Sequence, residues 1–420
     1  MNANRHETIR LFSKGGTVLG AFAAVHLLFL LLLIPRIVRG GVYGDVDLYR
    51  QWAFAGLNEG VWQGVDVPWV YPIGAIFPMV AASIFGSHLY MLGWFLLCAV
   101  LNLGALLALK NSRTLRFGWQ AAYAWVLLIA ILGPLVFSRV DGISAPIVVI
   151  GLVLAAGRPA IASALLSLAT WIKVWPAAVI LALLLATKAK LRVFLAGAAV
   201  SAFMVAGVVA GGGAGNLLGF IRAQGERGMQ LEAPFTTPGL WQAVLGAGTV
   251  VHPNSEIVTM EIRGSLADFV GALMNPLLCV SLALISFLIM AGVRRGADRR
   301  ELTMVGALAL VSAMIVFNKV GSPQFMIWLV AVICVGVAVY GPGWNVPLAA
   351  VVSIAILTTL VYPILYVQLF AGLNPGVALL LTVRNALVVL LLGWALVKLS
   401  RLARADTKTS TGTASFAAVR

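Results

Sequence analysis

Hydrophobic positions in this chain do not alternate with polar ones. They gather into unbroken runs of about 20 residues, rich in Leu, Ala, Val and Ile, that recur along the whole length. In lipid every backbone N–H and C=O must find a partner inside the protein, which leaves helical bundles or closed barrels. Runs without a period of two select helices. The first covers roughly 16–38, and the next cover 88–109 and 117–137. Between Asp141 and Lys188 lies enough apolar chain for three short crossings, turning at Arg158 and Lys173. Further spans fall near 193–211, 265–293, 302–318, 324–340, 345–365 and 378–398. The apolar piece 72–86 makes only about 22 Å of helix against a hydrocarbon core of roughly 30 Å, and reads as a re-entrant or surface helix. The pattern predicts an all-α polytopic transmembrane bundle of about 12 spans over residues 1–404, with outer juxtamembrane helices. The Thr/Ser/Ala-rich tail 405–420 is expected to be a disordered cytoplasmic segment.

Composition strengthens this picture. The chain is 61% hydrophobic and 10% charged, more apolar surface than a soluble domain can bury. Its net charge of +15 would suggest nucleic acid in a soluble protein. Here basic loops that hold an orientation account for the excess, and no nucleic-acid partner is expected. Clusters at Arg5/Arg10/Lys14, Lys110/Arg113/Arg116, Lys188/Lys190/Arg192, Arg294/Arg295/Arg299/Arg300 and Lys398/Arg401/Arg404 all fit on one side. That places both termini in the cytoplasm and the long loops 39–71 and 212–264 outside the plasma membrane. The basic N-terminus resembles a signal peptide, but no small-residue cleavage site follows, so the first span is expected to stay. Cys98, Cys279 and Cys334 fall within apolar runs, and the four histidines are scattered. Neither a disulfide framework nor a metal site is indicated, and no nucleotide-binding fingerprint appears.

Most of the acids fall on the outer side, which points to function there. The stretch "GDVDLYRQW" sets Asp45 and Asp47 at the mouth of an amphipathic segment with Tyr49 and Arg50. The two acids either cap that helix or form a reactive pair. In an extended approach segment they point the same way and face one cleft. Arg139 and Asp141 in "SRVDGISAP" make a local ion pair or contact a substrate. Lys173 stands between Trp171 and Trp175, where it either snorkels to the interface or meets an anion. The long loop holds Arg222, Arg227, Gln230 and Glu232 before a Pro-bounded amphipathic stretch. Lys319 joins Asn318, Ser322 and Gln324 at a hairpin tip, where a bare ammonium is costly unless it faces a cavity or an anion. Arg384, within the last span, needs a partner that the local sequence does not name.

Asp45 four residues before Tyr49, "WVYPIGAIFP" around Tyr71, "ATWIKVWPA", "ERGMQLEAP" and "NKVGSPQF" occur here in order. In that order and spacing the chain resembles the GT-C superfamily of glycosyltransferases, specifically glycosyltransferase family 87, over most of its length. Actinobacterial alpha-mannosyltransferases are among that family's members. The resemblance implies a GT-C bundle, a polyprenyl-phosphate-sugar donor, a glycolipid or lipoglycan acceptor, and Asp45 as catalytic base. Asp47 departs from the pattern, since other branches carry two acids. Nucleotide sugars are made in the cytoplasm, so an outward-facing transferase needs a lipid-linked donor. Its phosphate would meet Lys319, Lys173 or a loop arginine, and no cofactor or divalent metal is called for. An arabinofuranosyl donor of the same class stays open. A transporter or lipid flippase is the reading from another class, but it would carry its ionisable residues near the midplane.

Overall fold

The computed structural model describes residues 2–225, 227–254 and 259–404; the tail 405–420 lies outside the described residues. The long helix α1 (Asn2–Val38) carries the first apolar run and ends after Pro35-Arg36. A loop leads to the short α2 (Val46–Phe54), then to a broken helix over Ile73–Phe85 whose α-helical part is α3 (Ile76–Ala81). Two long helices follow, α4 (Tyr90–Asn111) and α5 (Gly118–Val136). Three short ones come next: α6 (Asp141–Leu154), α7 (Pro159–Ile172) and α8 (Pro176–Ala186). Prolines open α7 and α8, where a missing N–H costs nothing. After α9 (Lys190–Ala210) the chain forms the long polar loop with α10 (Gly219–Gly225) and α11 (Thr237–Val244). Strands β1 (Val250–Asn254) and β2 (Thr259–Arg263) then pair antiparallel. The bundle closes with α12 (Ser265–Arg294), α13 (Arg299–Val316), α14 (Met326–Tyr340), α15 (Asn345–Thr359), α16 (Tyr366–Phe370) and α17 (Pro375–Arg404).

Among the described residues, seven segments are long and apolar enough to cross a membrane, and α6, α7, α8 and Ile73–Phe85 are shorter apolar helices. The fold is an all-α polytopic membrane bundle. Two features depart from the expected elements. The span expected at 345–365 breaks near Tyr362, whose backbone is extended beside Pro363, a residue that cannot donate to the helix ladder. The β1–β2 hairpin was not expected, because Pro253 argues against a strand; a two-stranded ribbon tolerates it since each strand is an edge.

Burial sorts the helices. α6, α13 and α14 are apolar nearly all round and buried at almost every position, as central helices must be. α1, α9 and α12 instead leave Leu28, Leu32, Phe194, Phe203, Phe269 and Phe287 exposed, which is the surface that lipid covers. The starts of three helices are braced together. Trp328 of α14 donates to Asp141 Oδ1 at 2.6 Å and stacks on Trp175 at 5.6 Å, while Trp175 donates to Ser144 Oγ at 3.1 Å. Asp141 is 1% exposed, so its carboxylate serves this brace.

Candidate functional site

Gly44 brings the chain to the site. It sits at φ +64°, and a Cβ there would lie 2.7 Å from Ser138 Cβ, so the loop lies flat on the turn after α5. Asp45 occupies the N-cap position of α2 but makes no side-chain capping bond. Its carboxylate is ion-paired with Arg139. Both local readings therefore give way to a long-range one: Asp45 is not a cap, and Arg139 is not the partner of Asp141.

The expected juxtaposition of the two acids does not occur. Asp45 is already in helical backbone (φ −71°, ψ −6°), and two residues along a helix lie about 200° apart around its axis. Asp47 accordingly turns to its own helix, accepting from Arg50 at 2.7 Å and Gln51 at 3.0 Å. Arg50 also donates to Gly40 O at 2.8 Å, tying α2 to the end of α1.

Around Asp45 the structure assembles residues from distant parts of the chain. The Tyr49 hydroxyl accepts from Val140 N–H at 3.2 Å and lies 3.4 Å from the Tyr71 hydroxyl. Burial, then Tyr71 and Asp45, push the Tyr49 phenol well above its ordinary value, so it stays protonated. Arg139 also donates to Tyr362 Oη at 3.3 Å. Burial works against the guanidinium charge, yet Asp45, the first of its anionic neighbours, holds Arg139 above its usual value. Trp52, Trp69 and Tyr71 stand nearly perpendicular to one another, with centroids 5.5, 5.6 and 6.0 Å apart. Lys173 Nζ sits 4.5 Å above the Tyr71 ring, a cation–π contact. Arg227 feels the fields of Tyr71, Glu261 and Asp45, while burial, the largest influence, lowers its pKa. Three cations thus approach one aromatic wall and one carboxylate.

A second knot ties the long loop to the hairpin after α13. Gln230 N–H donates to Lys319 O at 2.9 Å, and Gln230 Oε1 accepts from Gly321 N–H at 2.8 Å. Gly321 lies backbone to backbone against Ala233 and Glu232, so no side chain fits there. Asn318 Oδ1 accepts from Val320 N–H at 2.9 Å and shapes the tip. Lys319 is half-buried and, like Lys173, has no carboxylate within ion-pair distance among the described residues. Gln324 is buried with its Oε1 unpartnered. Glu232 is 4% exposed; burial raises its carboxyl above the ordinary range, against the opposing pull of Tyr366, Arg384 and Arg139. Arg222 is exposed on α10, apart from these contacts. No three His, Cys, Asp or Glu side chains group as a metal site among the described residues.

The family model for glycosyltransferase family 87 matches residues 69–317, well over half of the chain. The chain belongs to glycosyltransferase family 87. No curated protein and no solved structure matches it. As a family 87 glycosyltransferase on a membrane-helical bundle, it acts with a sugar donor, an acceptor and the bilayer. The matched span takes in Tyr71, Arg139, Asp141, Lys173, Arg222, Arg227, Gln230 and Glu232; Lys319 stands just after it, and Asp45 lies upstream of it, outside the match.

Several residues of this cluster were not singled out in the sequence as site candidates. Trp52, Trp69 and Tyr366 carried no site reading, and Tyr362 fell inside the expected span 345–365. The signal available was Tyr362-Pro363, a break in an otherwise continuous span, four residues before a second tyrosine. The field of Glu232 reaches Arg384 from the long loop, although no ion-pair contact joins the two.

Proposed function

We propose that this glycosyltransferase inverts configuration as it moves a hexose, most simply mannose, from a polyprenyl-phosphate donor to a hydroxyl of a glycolipid or lipoglycan. The reaction takes place at the outer face of the plasma membrane, with both termini in the cytoplasm. The observation that carries this reading is Asp45. It stands at a helix mouth, unused as a cap, half-buried, held by Arg139 beside the Trp52–Trp69–Tyr71 wall. A carboxylate in that setting suits general-base work, because it is oriented from behind and still reachable in front.

In the proposed step the acceptor hydroxyl gives its proton to Asp45 as its oxygen attacks the anomeric carbon. The bond from that carbon to the phosphate oxygen breaks, its electron pair leaves with the polyprenyl phosphate, and the configuration inverts. Arg139, Lys173, Arg227 and Lys319 would share the charge of the departing phosphate, the electrostatic part of catalysis. The aromatic wall offers flat apolar faces to the C–H side of a sugar ring. Asp47 holds Arg50 and, through it, the position of α2.

Purified protein incubated with radiolabelled polyprenyl-phosphate mannose, polyprenyl-phosphate arabinofuranose and a nucleotide-linked mannose, each with membrane lipids, tests the reading. Label should move to lipid acceptor only from a polyprenyl-phosphate donor, and mannose should be preferred. Transfer from the nucleotide sugar alone would overturn the donor class, and preference for arabinofuranose would change the sugar.

A further inference from the structure

At the opposite end of the bundle from Asp45 lies a cavity of about 320 Å³, within the size range of small-ligand pockets. The helices fix its place. α6 and α8 leave the cluster at Asp141 and Trp175 and deliver Leu152 and Thr187 to the cavity, while α13 runs from Arg299 at the cavity to Val316, just before the Lys319 tip. α6 has 14 residues and α8 has 11, so they reach only about 21 and 16 Å, and the cavity is recessed into the bundle.

Its walls are apolar, with Leu152, Leu183, Val335 and Val339, and its charged lining is entirely basic: Lys188, Arg299 and Arg300. The acids nearby are engaged elsewhere. Asp298 caps α13 by accepting from Glu301 N–H at 2.6 Å, and Glu301 pairs with Lys398 at 2.8 Å. The three cations differ in what they leave open. Arg299 donates to Ala186 O and Thr187 O at 2.9 and 3.3 Å, closing the C-terminal end of α8, so it belongs to the scaffold. Arg300 reaches Thr114 O only at 3.4 Å, and Lys188 is exposed with no carboxylate within ion-pair distance among the described residues. Basic loops orient a membrane protein without any pocket. Orientation does not explain why an apolar chamber opens beneath two available cations. That combination matches an anionic head joined to a hydrocarbon chain.

We infer that this cavity binds an anionic phospholipid, with its phosphodiester on Lys188 and Arg300 and the first part of an acyl chain against Leu152, Leu183, Val335 and Val339. The full-length protein in detergent is titrated with dioleoyl phosphatidylglycerol, dioleoyl phosphatidylcholine or inorganic phosphate, and bound molecules are counted by native mass spectrometry. Phosphatidylglycerol should bind more tightly than phosphatidylcholine, and its affinity should fall on the order of twentyfold in Lys188→Gln/Arg300→Gln. Arg294→Gln/Arg401→Gln removes the same charge from exposed positions outside the cavity and should leave binding unchanged. Ala156→Trp fills the cavity from an exposed lining position and should abolish binding with no change of charge. Equal loss in the two charge variants, equal binding of phosphatidylcholine, displacement of the lipid by inorganic phosphate, or full binding by Ala156→Trp would each overturn the site. If the double variant does not fold, Lys188→Gln alone should show a loss of about fivefold, and an unchanged affinity there would overturn it too.

Discussion

Two arginines of this bundle each lie in the field of a carboxylate, and the two arrangements are built differently. Asp45 and Arg139 are both half-buried, and Asp45 keeps 26% of its side-chain surface open. Glu232 and Arg384 are sealed, at 4% and 1% exposure, with Glu232 Oε2 and two Arg384 nitrogens lacking hydrogen-bond partners. The general-base role proposed for Asp45 needs a carboxylate that a hydroxyl can reach, and the open pair leaves it reachable. The two buried charges have given up hydration, and each feels the other's field with no ion-pair contact between them. The contrast separates a carboxylate still open to solvent from one enclosed where the long loop meets the last helix.

The sharpest way to break that contrast is Asp45→Asn, nearly isosteric but unable to take a proton. Turnover should fall by about 10²–10⁴ while donor binding persists. Unchanged turnover would remove Asp45 from the reaction, whatever else the family match supports. Arg384→Met acts on the buried arrangement and should lower stability, read as a drop in melting midpoint, because Glu232 loses an opposing charge. Adding Glu232→Gln should recover much of that loss. Burial raises the Glu232 carboxyl, so in the single variant the penalty should be full at neutral pH and shrink on acidification, as Glu232 gains its proton. A penalty that grew on acidification would contradict the pairing.

Smaller effects sharpen the comparison. Lys319→Ala should weaken donor use at least about tenfold, since a charge-assisted contact to phosphate is worth roughly 1.5–3 kcal/mol. Unaltered donor dependence would leave Lys319 as an interfacial lysine. Asp47→Asn removes only an exposed pairing with Arg50, worth about 0.2–1 kcal/mol, and should keep activity within a few-fold of the parent. A collapse there, with Asp45→Asn active, would exchange the roles of the two acids.

The helices were legible in the sequence because apolar runs are local, and lipid leaves them no alternative to helix. α6, α7 and α8 could be placed from their charged turns at Arg158 and Lys173 alone. Asp45 stood out for a related reason: acids are scarce in this chain, and this one follows a span. Its partner was hidden, because nothing near position 45 announces Arg139 and nothing near 139 announces Tyr362. Arg384 was conspicuous as a cation in a span, yet the answer lay in a loop far upstream. The two acids of "GDVDLYRQW" were misaligned in the reading because the helical turn begins at Asp45 itself, one residue too early for an extended pair.

The fastening of the long loop onto α17, where Asn385 donates to Thr237 Oγ1 at 3.0 Å, also has a place in time. Roughly 150 positions separate the two residues, and synthesis at about 5–20 residues per second takes on the order of 10–30 s to cover them. Throughout that interval the nascent chain carries its long loop without the helix that completes it, and Gln230 waits similarly for the Lys319–Gly321 backbone. The loop around Asp45 and Arg139 is synthesised early, while the helix that completes the packing of the long loop is α17, the last one described. A polypeptide truncated before α17 would therefore insert most of its helices and still be unable to mature.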